Sequence, residues 1–217
     1  MTIRRSEKKH LSAKGLLKTV RQCFSSIDIQ KKEGSGKKSE IPLVDCLMSG
    51  LAVFNLKFPS LLQFDKSMEE ETVRHNLDTL FGVKKAPCDT QMRERLDQVL
   101  PKKIRPVFKK VFSSIQRGKV LEKYQFIDGH YLLLADGTGF FSSKSVHCEN
   151  CCVKNHRNGT QTYYHQMLGA VIAHPDHKEV FPLCPELISN TDGQTKNDCE
   201  RNASKRLLED VRREHPH

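Results

Sequence analysis

The chain has 217 residues, 37% of them hydrophobic, with 36 Lys and Arg against 26 Asp and Glu for a net charge of +10. That length and apolar content can build one large core or two modest ones, which excludes a disordered chain. Residues 1–40 hold eleven basic side chains against four acidic ones, a bias that suits a polyanionic partner such as a phosphate backbone; a solubilising tail is the plainer alternative.

Met1 to Lys18 alternates charged and apolar residues without an uninterrupted apolar run, so no secretory signal is expected and a cytoplasmic, nucleoid-associated location is. Leu16, Leu17, Val20 and Phe24 share one face of a first helix, and Gly-Ser-Gly-Lys-Lys at 34–38 reads as a linker. Ser39 is placed to cap a second helix with Pro42 in its first turn, ending before Pro59. Its apolar stretch, Ile41 to Phe54, is broken by Pro42, Asp45 and Ser49 and is too short to span a bilayer, so a core helix and no membrane partner are expected. Ser67 and Glu70 form a capping box for a helix to Leu80 and Phe81, with Gly82 as its left-handed stop. Asp89 or Thr90 starts a helix burying Met92, Leu96 and Val99. A last one presents Ile104, Val107, Phe108, Val111, Phe112 and Ile115 and closes at Gly118. Lys84, Lys85, Arg93 and Arg95 surround the turn and second helix of the 68–100 pair. They are the candidate DNA-binding residues of a helix-turn-helix reader, although almost any helical bundle contains such a pair.

After residue 120 the pattern turns to strands. Tyr124 to Ile127 and His130 to Asp136 read as two strands joined at Asp128-Gly129, followed by strands at Thr162 to His174 and Val180 to Cys184. Asn197 with Glu200 then caps a helix whose inner face is Cys199, Ala203, Leu207, Leu208 and Val211. Asp136 ends its strand before Gly-Thr-Gly, as the first ligand of a two-metal phosphoryl-transfer site does; an ordinary turn after a strand reads the same way. Three strands and a helix, with an acid at the end of the first strand, are the opening of a ribonuclease H-like sheet.

Eight cysteines in an intracellular chain argue for thiols or metal ligands rather than disulfides, and three crowd into Cys148, Cys151 and Cys152. The other five read as small core residues. Cys148 and Cys151 have zinc-knuckle spacing, and His156 and His165 follow at distances a hairpin can fold onto one tetrahedral ion. Cys152 and His147 compete for the same role, and His165 sits in a strand that can point it elsewhere. A four-ligand zinc would be structural, stapling a polar insertion from Ser142 to Thr160; a surface loop with incidental thiols is the alternative.

The ordered series Asp136-Gly-Thr-Gly-Phe-Phe-Ser-Ser, Cys148-Glu-Asn-Cys151, Tyr163-Tyr-His-Gln-Met, His174-Pro-Asp, Pro185-Glu186, Asp192-Gly193 and Lys196-Asn-Asp-Cys-Glu200 resembles a bacterial insertion-sequence transposase of the DDE type, from about residue 40 onward. The resemblance implies an α+β chain: a basic segment and linker at 1–38, a helical DNA-binding domain at 39–120, and a ribonuclease H-like core at 121–217 carrying the Cys/His-rich hairpin. It implies Asp136 as the first catalytic acid, holding magnesium, and double-stranded element ends as the partner, with self-association or pairing with a full-length transposase. Relatives of that kind place a second Asp on the strand after the last helix and a Glu beyond it. Neither segment is present here, so the expectation is an inactive, N-terminal portion. A non-catalytic DNA-binding regulatory remnant and a zinc-knuckle nucleic-acid adaptor are the competing readings.

Overall fold

The computed structural model describes residues 10–28, 41–190 and 198–215. The linker at 34–38, the Ser39 and Asn197 caps and the Asp192-Gly193 and Lys196 motif positions lie outside the described residues. The chain divides into two units, 1–120 and 121–217, the first helical and the second an antiparallel sheet with one helix, so the fold class is α+β.

In the first unit, α1 (Ala13–Ser25) starts where the Ser12 hydroxyl accepts from the Gly15 amide. Helix α2 (Leu43–Asn55) follows Pro42 and is the core helix expected, burying Cys46, Leu47, Met48, Ser49, Ala52 and Val53. A helix the periodicity does not announce, α3 (Leu61–Ser67), is capped by the Ser60 hydroxyl on the Gln63 amide. This displaces the expected capping box: Ser67 ends α3, its hydroxyl donating to the Phe64 carbonyl at 2.6 Å, and α4 (Glu71–Asn76) begins without it. A π-helical turn, Leu77–Phe81, continues α4 and stops at Gly82, which is left-handed with φ 69°. Helices α5 (Asp89–Leu96) and α6 (Arg105–Arg117) complete the unit. Phe24, Leu47, Met48, Phe64, Leu77, Phe81, Met92 and Val107 form its core. Arg21 of α1 joins Asp45 of α2 at 2.6 Å, fastening the two helices at the edge of that core. Gly82→Ala puts a Cβ on a left-handed backbone that lies against the Arg21 side chain; thermal melts are expected to show a loss of about 1–2 kcal/mol.

In the second unit, β1 (Gln125–Ile127) and β2 (His130–Ser143) meet at Asp128-Gly129, both with positive φ, the hairpin turn the sequence announces. The central strand is β4 (Gln161–Ala173). Along one edge it pairs with β2; along the other it pairs in succession with β5 (Phe181–Pro182), β6 (Glu186–Ile188) and β3 (Cys152–Asn155), all antiparallel. The expected polar insertion at 142–160 is therefore partly sheet: β2 runs through Ser143 and β3 is a fourth edge segment. Helix α7 (Glu200–Glu214) packs on β4 and β6 through Ala203 and Leu207; Leu208, expected on that inner face, is exposed. Arg206 of α7 reaches Asp198 at 2.5 Å and Glu186 of β6 at 2.8 Å, tying the helix to the sheet. Of the five cysteines read as core, Cys46 is buried, Cys23 and Cys184 are half-buried, and Cys88 and Cys199 are exposed.

Candidate metal centre

The segment after β2 turns sharply because the Ser143 hydroxyl accepts from the amides of Ser145 and Val146. It then folds Cys148 and Cys151 into a tight turn, with the Cys151 amide on the Cys148 carbonyl at 3.2 Å and the Cys148 amide on the Cys151 sulfur at 3.3 Å. The Asn190 side-chain amide holds the Glu149 carbonyl at 3.0 Å. The two sulfurs lie 3.7 Å apart, and each is 3.3 Å from Nε2 of His165 in β4. A tetrahedral zinc with Zn–S of about 2.3 Å and Zn–N of about 2.05 Å requires roughly 3.8 Å between sulfurs and roughly 3.5 Å from sulfur to nitrogen. These three donors fit that ion without rearrangement, and they can hold a metal.

His165 is aimed by its surroundings. Phe140 stacks on its ring at 5.8 Å with the planes 9° apart, and Phe141 lies 5.7 Å away. Both phenyls reach the ring because the β2–β4 register slips between Gly139 and Phe141, so the bulge brings two consecutive aromatics against one histidine. Cys151 is buried, which pushes its thiol above the usual range, the neighbouring Cys148 thiol adding to the shift and the Cys148 amide opposing it.

The sequence-derived ligand set keeps Cys148, Cys151 and His165 and loses His156. His156 sits at the tip of the β3–β4 hairpin, its Nε2 2.8 Å from the Thr162 hydroxyl, and lines an open groove with Lys154 and Tyr164 instead of joining the cysteines. His165, whose strand position put it in question, is the imidazole that does join them. The competitors are otherwise engaged. Cys152 is fully buried with its sulfur toward the Ile188 carbonyl, because consecutive residues entering a strand face opposite ways. His147 stacks on Tyr163 at 4.2 Å. Among the described residues the set is thus three donors, not four, leaving one position of a tetrahedral ion for water or another donor.

Asp136 lies in the middle of β2, opposite Gly169, and not at a strand end; Gly137 and Gly139 continue the ladder instead of turning. Strand pairing puts Asp136, Gly169 and His165 on one face of the sheet, with Gly169 and His165 four residues apart along β4, roughly 13 Å at ~3.3 Å per residue. The opposite face at the next residue is covered by α7: a Cβ at Gly137 would sit 2.0 Å from Oε1 of Glu200, so a larger residue there would displace the end of that side chain. Asp136 is exposed, and its carboxylate accepts from the Gly137 amide at 2.9 Å. No group of three potential ligands among the described residues includes it. One carboxylate does not fit a two-magnesium site, and no magnesium-dependent step follows from these residues.

Two of the four residues named for DNA contact are engaged within the unit. Arg95 turns inward to the Ile41 carbonyl at 3.3 Å, and Arg93 pairs with Asp89 at 3.3 Å. Helix α5 packs mainly on α2 and α3, not on α4 as the second helix of a helix-turn-helix would. Lys84 and Lys85 are exposed in the connection before it. No helix of the described residues is long and apolar enough to cross a membrane. Neither a protein-family model, nor a curated protein, nor a solved structure matches the chain.

Proposed function

We propose that this chain is a DNA-binding protein of the DDE transposase type, joining a helical DNA-binding unit to the opening strands of a ribonuclease H-like core fastened by a structural zinc ion. The observation that carries the reading is the convergence of the motif series on one sheet. Asp136 to Ser143 lie in β2, Cys148 and Cys151 in the turn after it, Tyr163 to Met167 in β4, Glu186 in β6 and Glu200 at the start of α7. Residues spread over 65 positions come together around one strand pair, which supports reading them as one functional series. The antiparallel order β2-β4-β6 with a helix on one face is also the way a ribonuclease H-like sheet begins, and beyond Tyr131 the outer edge of β2 carries no strand among the described residues.

Zinc suits the Cys148, Cys151 and His165 donors as a soft, redox-inert ion that thiolates and imidazole bind together. Bound there, it ties the 144–151 turn to the central strand. No group of three potential ligands among the described residues includes Asp136, so DNA occupancy, not cleavage or strand transfer, is the activity proposed for this chain's own residues.

The test is fluorescence anisotropy with a duplex carrying the sequence that flanks the protein's own gene, titrated against random duplex from about 50 to 200 mM salt. Preference for the flanking duplex that survives competition supports the reading. Asp136→Asn is expected to leave affinity within about twofold, since one carboxylate facing phosphate contributes no attraction. Absence of duplex binding at micromolar protein and low salt would overturn the proposal.

A further inference from the structure

The positive charge of this protein is concentrated on one helix pair that the motif series does not include. Residues 101–119, which comprise α6 and its lead-in, hold seven Lys and Arg and no acid; residues 10–27, which comprise α1, hold three and no acid. These ten equal the excess of the whole chain, 36 basic against 26 acidic residues, so everything else sums to neutrality. The two helices pack against each other. By contrast α5 with its following residue carries Arg93 and Arg95 against Asp89, Glu94 and Asp97, and has no excess at all.

Between α1 and α6 lies an open groove of about 400 Å³ lined by His10, Thr19, Gln22, Lys110, Ser114 and Arg117. Its composition follows from helix geometry. Lys110, Ser114 and Arg117 are spaced i, i+4, i+7 along the outward face of α6, while Val107, Val111 and Phe112 turn to the core. Thr19 and Gln22 are i, i+3 on α1 and face them across the groove. Lys110 and Arg117 are exposed, and neither has a carboxylate partner among the described residues. Arg21, the one α1 cation drawn inward, is spent on Asp45. A concave strip of cations beside a side-chain amide, with every acid excluded from both walls, is what a phosphodiester backbone requires: charge to displace counterions and a neutral donor to fix a phosphate. The Thr19 and Ser114 hydroxyls donate within their own helices, to the Gly15 and Lys110 carbonyls.

We infer that the α1–α6 groove is the surface that grips the DNA backbone, with Lys110 and Arg117 as its principal phosphate contacts and the Gln22 side-chain amide as a neutral donor. This rests on the DNA-binding reading above and relocates the interface from Lys84, Lys85, Arg93 and Arg95 to the opposite pair of helices in the sequence. Contacts of this kind carry affinity more than sequence choice, so losing them weakens all duplexes alike.

The experiment compares wild type, Lys110→Glu/Arg117→Glu and the control Lys84→Glu/Arg93→Glu by anisotropy on the same two duplexes, with circular dichroism melts to show that each variant folds. A milder pair, Lys110→Gln/Arg117→Gln, covers the case in which charge reversal unfolds the unit. The groove variants are expected to lose at least tenfold in affinity for both duplexes at 100 mM salt, and to flatten the slope of log K against log salt by about two. The control is expected to stay within about threefold. Folded groove variants that bind like wild type while the control fails would overturn the groove and leave DNA binding standing. A wild type that binds neither duplex would instead overturn the underlying function, and binding of anionic lipid vesicles in place of DNA would overturn the choice of partner.

Discussion

One zinc ion per chain is expected in protein purified without chelator, and stripping it should lower the melting temperature of the second unit by roughly 10–20 °C. The magnitude follows from linkage: zinc at a hundred times its dissociation constant stabilises the form that binds it by about 2.7 kcal/mol, and for a unit of about 100 residues each kcal/mol moves the midpoint by roughly 4–8 °C. The variants should divide sharply. Cys148→Ser, Cys151→Ser and His165→Ala lose the metal, because each supplies one of three donors. Cys152→Ser and His156→Ala keep it, because one sulfur faces the Ile188 carbonyl and the other ring binds Thr162. The pH dependence has a definite sign. Burial raises the Cys151 thiol, so in the metal-free protein it is protonated at neutral pH and must release its proton to bind. Zinc affinity should therefore fall as pH drops below 7, by about tenfold per unit for the proton that Cys151 must release. Elemental analysis and calorimetry at pH 6, 7 and 8 check this. Protein that stays metal-free with Cys148 and Cys151 as free thiols, in a freshly reduced, anaerobic preparation supplied with zinc, would sink the zinc centre.

How much of this was legible beforehand depends on the range of the interaction that fixes each feature. The Asp128-Gly129 hairpin, the Gly82 stop and the amphipathic α6 are decided within a few residues, and the sequence states them. The capping box at Ser67 and Glu70 is also local, but a competing local signal won: Ser60 caps a helix that consumes Ser67 as its last residue. Asp136 was misplaced because Gly-Thr-Gly reads as a turn by propensity, yet eleven cross-strand pairs with β4 hold it extended. The choice of His165 over His156 was closed to sequence, since it depends on a register slip that stacks Phe140 on one imidazole and on a hairpin that carries the other away. The acid-free stretch 101–119 is open to simple counting, its seven cations matching the net excess that the first forty residues reach with eleven cations and four acids.

Arg206→Ala is expected to cost about 3 kcal/mol, the low end for breaking a buried pair, because its guanidinium keeps 35% of its side-chain exposure while Asp198 keeps 1%. The loss is larger than that of an exposed ion pair because of what remains: Asp198 would be left charged in the interior with the Cys199 amide and the Asn202 side chain as its remaining donors, and Glu186 would lose the same partner. Acidification should expose the mechanism. In the wild type, burial by itself raises Asp198, but hydrogen bonds from Arg206 and the Cys199 amide outweigh it and hold the carboxyl below its ordinary value. Its contribution is thus complete above the unfolded-state value of about 4 and is lost only as pH falls through the lower folded value. Without Arg206 the burial effect is opposed only by the Cys199 amide and the Asn202 side chain, so the folded carboxyl rises from its wild-type position and takes up its proton at higher pH. Lowering pH from about 6 to 4 should then stabilise Arg206→Ala relative to wild type, closing part of the gap. Asp198→Asn in the Arg206→Ala background removes the stranded charge and should recover part of the loss at neutral pH. Denaturant unfolding of the four proteins of this cycle at pH 4 and pH 7 measures the coupling directly. An Arg206→Ala protein within about 0.5 kcal/mol of wild type at both pH values would mean that α7 is held to β6 by Ala203 and Leu207 packing alone.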